Sequence, residues 1–325
     1  GIKRRRGILF LSGRRSSTFP VAHILFAINF HFKSSTWGRD MAGERWRIGD
    51  ITVTRIIEIE AVGGLRRILP DADYDAVRAI PWLFPHFADA KGRLAASIHA
   101  LVIETPDCRI VVDTCIGNDK VRAVPAWNQL QTGFLADLTA AGYPPDSVDQ
   151  VLCTHLHVDH VGWNTRLEND RWVPTFTNAR YLFGADEFEF WRARGDDERF
   201  GAVFSDSVAP VFDAGLVDLI ATDHQVAPGV RLVPTPGHTP GHVSVLIESG
   251  GESAFITGDM LHHPCQFARP HWCAAVDEDK AQAIRTRSDI FERFVDGPTL
   301  IIGTHFATPT AGHLVRDGDV YRLDV

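Results

Sequence analysis

Three imidazoles and a carboxylate stand close together in Thr154-His155-Leu156-His157-Val158-Asp159-His160, immediately after the apolar residues Val151, Leu152 and Cys153. Buried polar groups without partners are costly, so a cluster of this density behind an apolar run needs something that takes up its lone pairs. A cation does that. His155 and His157, two positions apart, can face one ion, while Asp159 and His160 turn toward another. The mixture of nitrogen and carboxylate donors suits Zn²⁺ or a similar first-row divalent metal. Three further donors each follow an apolar run of their own: His238 in Thr235-Pro236-Gly237-His238-Thr239-Pro240-Gly241-His242, Asp259 in Thr257-Gly258-Asp259, and His305 in Gly303-Thr304-His305. The prolines and glycines around His238 make a rigid turn that holds an imidazole at a strand end.

Donors so far apart in sequence meet only if a scaffold brings them together, and the runs that precede them read as strands. Apolar, β-rich segments recur at 51–59, 100–104, 109–113, 150–154, 231–234, 243–247, 253–257 and 299–303. Helical spacing appears between some of them. Leu130, Phe134 and Leu138 share one face before Gly142, Pro144 and Pro145. Ala281, Ile284, Phe291 and Phe294 share another, with Asp277 read as the N-cap. Alternating strands and helices predict sheets inside and helices outside. The stretch 163–215 is dense in aromatics, and reads as an accessory helical element whose rings mostly fill core while two or three line an apolar substrate pocket. There is no internal repeat.

Taken together, the HxHxDH of His155 to His160, the Gly-His at His238, the Gly-Asp at Asp259 and the Gly-x-His at His305 resemble the metallo-β-lactamase fold hydrolases, in motif order, over roughly residues 50–310. The resemblance implies an α+β fold, a four-layer αβ/βα sandwich with a binuclear metal centre at one edge. By the family pattern His155, His157 and His238 would bind one divalent ion, Asp159, His160 and His305 the other, and Asp259 would bridge them. Asp113, at the end of an earlier strand run, matches the family's strand-end aspartate and would orient a ligand imidazole from behind. His242 reads as a supporting residue. Cys265 and Cys273, near His262 and His263, read as packed thiols rather than as a second metal site.

Two divalent ions sharing a carboxylate can also share a water and lower its pKa enough to supply hydroxide near neutral pH. No Ser or Cys nucleophile is required. Asp159, beside that water, is the expected proton shuttle. Within the resemblance, the bridging Asp259 argues against a true β-lactamase, His157 stands where the oxygen-reducing branch has Glu, and the chain's end offers only Arg316 and Arg322 where the glyoxalase II branch reads glutathione. What remains resembles the lactonase branch and the organophosphate hydrolases similar to methyl parathion hydrolase. The expectation is a metal-dependent hydrolase that cleaves a lactone or carboxylic ester of an apolar substrate, with phosphotriester hydrolysis as the alternative. A non-enzymatic metal-binding protein would be expected to lack a ligand, and none is missing.

Composition sets the remaining bounds. The chain has 325 residues, 45% apolar and 23% charged, and a formal net charge of −8, which describes an ordinary globular protein. Nucleic acid is not an expected partner at that charge, no apolar run is long enough to span a membrane, and the five scattered cysteines read as reduced thiols. A small-molecule substrate is the expected partner, with a homodimer implied by the resemblance only. Residues 1–40 differ from the rest, carrying eight Lys or Arg against one acid; that is +7, and leaves −15 on the other 285. They read as a poorly ordered extension ahead of a start at Met41, followed by a single catalytic domain over 41–325. His23, Asn29 and His31 interrupt the apolar part, and no small-residue cleavage site follows, against an export leader. A cytoplasmic location goes with the first reading, an exported or periplasmic one with a leader.

Overall fold

The computed structural model describes Gly1 and residues 44–325, so the expected extension lies outside the described residues. The first half of the described chain builds one sheet from β1 (Arg45–Ile48), β2 (Ile51–Val62), β3 (Ala95–Glu104), β4 (Arg109–Val112) and β5 (Gln150–Leu152), and then, after a separate hairpin of β6 (Thr165–Glu168) and β7 (Arg171–Pro174), from β8 (Arg180–Gly184) and β9 (Val217–Ile220). The second half builds another from β10 (Gln225–Ala227), β11 (Val230–Pro234), β12 (Val243–Ser249), β13 (Glu252–Ile256), β14 (Leu300–Ile302), β15 (Ala311–Asp317) and β16 (Val320–Asp324). Each sheet mixes antiparallel hairpins with parallel neighbours, β4 with β5, β5 with β8 and β8 with β9 in the first, β13 with β14 in the second.

Side-chain alternation sorts the apolar residues into three layers. Ile110, Val112 and Leu152 of the first sheet face Val245, Ala254, Ile256 and Ile302 of the second, closing the seam between the sheets. Their sequence neighbours Val111 and Val151 point the other way, toward Phe134 and Leu138 of α2 (Phe134–Ala140) and Phe188 and Trp191 of α3 (Ala185–Arg194). On the opposite outer face Phe255 and Ile301 meet Ile290, Phe291 and Phe294 of α6 (Lys280–Phe294). The short helices α1 (Tyr74–Arg78), α4 (Ala209–Asp213) and α5 (Cys265–Ala268) complete the outer layers. This is the expected αβ/βα sandwich. Every apolar run read as a strand is one, with ends shifted by a few residues.

Two local readings change. The N-cap of α6 is Asp279, whose side chain accepts from the Gln282 N–H, and Asp277 is released for another task. The aromatic stretch is not mainly helical: it contains the β6–β7 hairpin and β8, and Phe176, Tyr181, Phe183 and Phe188 are core. Strands there go unread because β6 and β7 are short and largely polar, and β8 is a short apolar run without a period-2 alternation.

A buried cation fastens the loop after β4. Lys120 is fully buried, its Nζ 2.8 Å from Thr165 Oγ1 and 3.7 Å from the centre of the Trp172 ring, while Arg122 forms a bidentate pair with Asp206 at 2.6 and 2.9 Å. Burial pushes the Lys120 ammonium down to about 7, against the pull of Asp206. Above that value the unfolded chain still holds a proton that the folded chain has released, so this group adds stability as pH rises. Thermal unfolding should accordingly find the parent gaining on Lys120→Met from about pH 7 to about pH 9; parallel pH profiles would contradict the assignment.

Candidate metal centre

The predicted donors all follow the ends of strands, and those ends lie at one edge of the sandwich. β4 leads into Asp113 and β5 into the loop 153–160; across the seam β11 leads to His238, β13 to Asp259 and β14 to His305. The turns are held by glycines that no other residue could replace without a shift. Gly258 has φ +53, and a Cβ there would lie 2.6 Å from His242 Nε2. Gly237, at φ +132, would drive a Cβ to 2.3 Å from the backbone nitrogen of Ala283 in α6.

The seven side chains form two adjacent clusters, His155, His157, His238 and Asp259 in one and Asp159, His160 and His305 in the other, with the donor atoms of each within 4.8 Å of one another. Asp259 lies between them: its Oδ2 is 3.4 Å from His160 Nε2, 3.5 Å from His238 Nε2 and 3.7 Å from His155 Nε2, and its Oδ1 is 3.0 Å from His305 Nε2. Asp159 reaches His160 at 3.7 Å and His305 at 3.6 Å and is the more open of the two carboxylates.

Groups behind the rings decide which nitrogen points inward. His238 Nδ1 donates to Asp277 at 2.8 Å, His305 Nδ1 to the Ser97 carbonyl at 3.0 Å, and His160 Nδ1 lies 2.9 Å from Asp113. Thr154 gives its hydroxyl proton to Asp113 and therefore accepts from His155 Nδ1, 3.1 Å away. In these four rings the outer nitrogen carries the proton and Nε2 presents a lone pair to the centre. Those lone pairs crowd: His155 Nε2 and His238 Nε2 each stand 2.9 Å from His157 Nδ1, and His160 Nε2 stands 3.3 Å from His305 Nε2. Inward lone pairs and a buried carboxylate repel one another unless cations sit among them, so the donor set fits a divalent metal site. Four imidazole nitrogens of this kind with carboxylates match zinc's preferences.

Protons can stand in for such cations, and the rings divide in how readily they take one. Burial holds His155, His157 and His238 well below the ordinary imidazole value. Burial acts the same way on His160 and His305, but the facing carboxylates outweigh it, Asp259, Asp113 and Asp159 raising His160 and Asp259 and Asp159 lifting His305 to about 9. Against its own burial, Asp259 is kept well below the usual carboxylate range by His305, His160 and His262.

Sequence reasoning missed three supporting residues. Asp277 was read as a helix cap, yet it faces His238. His262 has its Nε2 3.2 Å from Asp259 Oδ2 and lines the cavity above the centre; the His262-His263 pair suggests only a separate site with Cys265 and Cys273, and nothing local ties it to Asp259. Glu187, buried on α3, accepts from the backbone N–H groups of Leu156 and Gly241 and from Trp191 Nε1, tying the two ligand-bearing loops together. His242 supports Asp259 by accepting its backbone N–H at 2.8 Å. Cys265 is packed into the core, and Cys273 Sγ lies 3.3 Å from Arg287.

Over the centre opens a cavity of about 210 Å³ whose floor is His157, Asp159, Asp259, His262 and His305. Its walls are mainly apolar, from Ile59, Leu65, Ile68, Ile98, Trp127 and Phe200 among others. Of the rings in the aromatic stretch only Phe200 reaches this cavity; the rest of the wall comes from 59–68, 96–98 and 124–127. Among the described residues no helix is long and apolar enough to cross a membrane.

Comparison with known proteins bears on the fold and the family. An N-acyl homoserine lactonase of Bacillus thuringiensis is 31% identical over 112 residues, 34% of this chain and 38% of the relative, so the match spans well under two thirds of that protein's length. The fold resembles that of the hydrolase AbOPH of the beta lactamase superfamily, with a TM-score of 0.70 and 24% identity over 87% of this chain and 98% of that one. It also resembles AidC, a dizinc quorum-quenching lactonase, with a TM-score of 0.69 and 19% identity over 87% of this chain and 97% of the other. The sequence model of the metallo-beta-lactamase superfamily matches residues 95–293, more than half the chain, and the protein belongs to that superfamily.

Proposed function

We propose that the protein is a binuclear metal-dependent hydrolase, with zinc as its metal, that opens a lactone or cleaves a carboxylic ester of an apolar substrate. The observation that carries this reading is a set of seven donor side chains in two adjacent clusters, with Asp259 between them, at the floor of a cavity whose walls are mainly apolar. His155, His157 and His238 would hold one ion, Asp159, His160 and His305 the other, and Asp259 would reach both. When bound, two such ions supply an ionised water near neutral pH and positive charge against the oxygen that becomes anionic.

The protein's own residues do the rest. The apolar wall strips water from the substrate body and leaves its polar group facing the floor. Asp113, Asp277, Ser97 and Thr154 hold four rings with the outer nitrogen protonated, so that Nε2 is the atom each ring offers to a cation. Asp159 takes a proton from the attacking water at a carboxylate oxygen and returns it to the leaving oxygen. The names of the lactonase relatives, one solved with the product N-hexanoyl-L-homoserine, favour lactones among the candidate esters.

A single metal-loaded preparation assayed against acyl lactones, aryl esters, phosphotriesters and β-lactams tests this reading. Turnover should be fastest on lactones or esters, vanish on chelation and return with Zn²⁺ or Co²⁺. A preference for phosphotriesters would replace the substrate assignment, and activity that survives complete metal removal would sink the mechanism.

A further inference from the structure

Four of the five clustered rings have a partner behind them, and the fifth does not. His157 presents Nδ1 to the centre, which leaves the proton on Nε2, and that nitrogen is buried with no hydrogen-bond partner. Leaving a buried donor unsatisfied is costly, so this one needs an acceptor. His157 is packed edge-on against Trp191 at 5.2 Å between ring centres and lies 5.7 Å from Phe200. Beside it is a second, much smaller chamber of about 10 Å³, lined by Leu156, His157, Trp191, Asp197, Phe200 and Val203 among others. That is close to the room one water molecule requires.

Asp197 is the one carboxylate on this chamber. Burial works against its charge, but Arg199, bonded to both of its oxygens at 2.6–3.0 Å, keeps the carboxyl below its ordinary value. Arg199 is held in turn near Glu278, which pairs with Arg194 at 2.7 and 3.0 Å and whose backbone N–H donates to the His238 carbonyl. The carboxylate is therefore fixed, charged and anchored to the backbone of a neighbouring ligand.

We propose that Asp197 is the positioning residue of His157, accepting through one buried water the proton on Nε2 and so aiming Nδ1 at the metal centre. This rests on the binuclear reading above for its ligand set. It assigns to His157 what Asp113, Asp277, Ser97 and Thr154 do for the other four rings.

The test is metal affinity rather than turnover. Chelator-stripped parent, Asp197→Ala, Asp197→Asn and Val203→Ile are titrated with Zn²⁺ in competition with a chromophoric chelator, and their metal-free thermal stabilities are compared. Asp197→Ala should weaken one of two Zn²⁺ affinities by about 10–100-fold and leave the other unchanged. Asp197→Asn, which keeps an oxygen acceptor, should fall between it and the parent. Val203→Ile keeps the carboxylate, fills the chamber by one methyl group, and should weaken the same affinity. A fall in metal-free stability with both affinities intact would overturn the proposal. Should the parent hold only one ion, the binuclear reading fails, while the comparison of Asp197→Ala with parent still decides the role of Asp197.

Discussion

Asp259→Asn should leave a folded protein that holds fewer than two ions per chain and hydrolyses its substrate about 10³-fold more slowly, the loss of several kcal/mol of charge stabilisation at about 1.4 kcal/mol per decade. The expectation follows from where the carboxylate lies. Its two oxygens are within 3.0–3.7 Å of nitrogens on His155, His160, His238, His262 and His305. No other described carboxylate approaches donors of both clusters so closely, and the amide halves its donor capacity and removes the negative charge that offsets two cations. Metal analysis with near-native circular dichroism checks it. Two ions retained at parental affinity would remove Asp259 from its bridging role.

Asp159→Asn should separate by leaving group. If the carboxylate returns a proton to the departing oxygen, a lactone or alkyl ester, whose alkoxide leaves poorly, should lose about 10²–10⁴-fold in kcat, the usual contribution of a positioned acid or base. An aryl ester with a stabilised phenolate should lose far less. Asn keeps an oxygen facing His160 and His305, so metal content should change less than in Asp259→Asn. Equal losses on both substrate types would mean that Asp159 serves only as a ligand.

That these seven donors would come together was legible because their chemistry is written locally: imidazoles two positions apart, or set between glycines and prolines, have few other uses at the end of an apolar run. Strands such as β5 and β13 were legible for the same reason, being short, apolar and followed by tight turns. What escaped reading depends on distance in space. Asp277 has the residue type and position of a helix cap, and only the fold reveals that Asp279 caps α6 while Asp277 faces His238. His262 and Glu187 act through groups far along the chain or on another element, and nothing in their neighbours signals it. The substrate wall was sought in the aromatic stretch, where ring density suggested a pocket. Most of those rings bury themselves in the layer under α3, and the wall is taken from β2, β3 and the loop near Trp127.

His155, His157, Asp159 and His160 hang from one sheet and His238, Asp259 and His305 from the other, so the reactive geometry belongs to neither half alone. It records the alignment of two slabs that meet along a greasy interface around Val112, Val245 and Ile256. A slip of about 1 Å at a catalytic centre can cost about 10²-fold in rate. Substitutions in that interface, which runs up to Asp113 and Asp259, should therefore be felt as lost turnover before they are felt as lost folding.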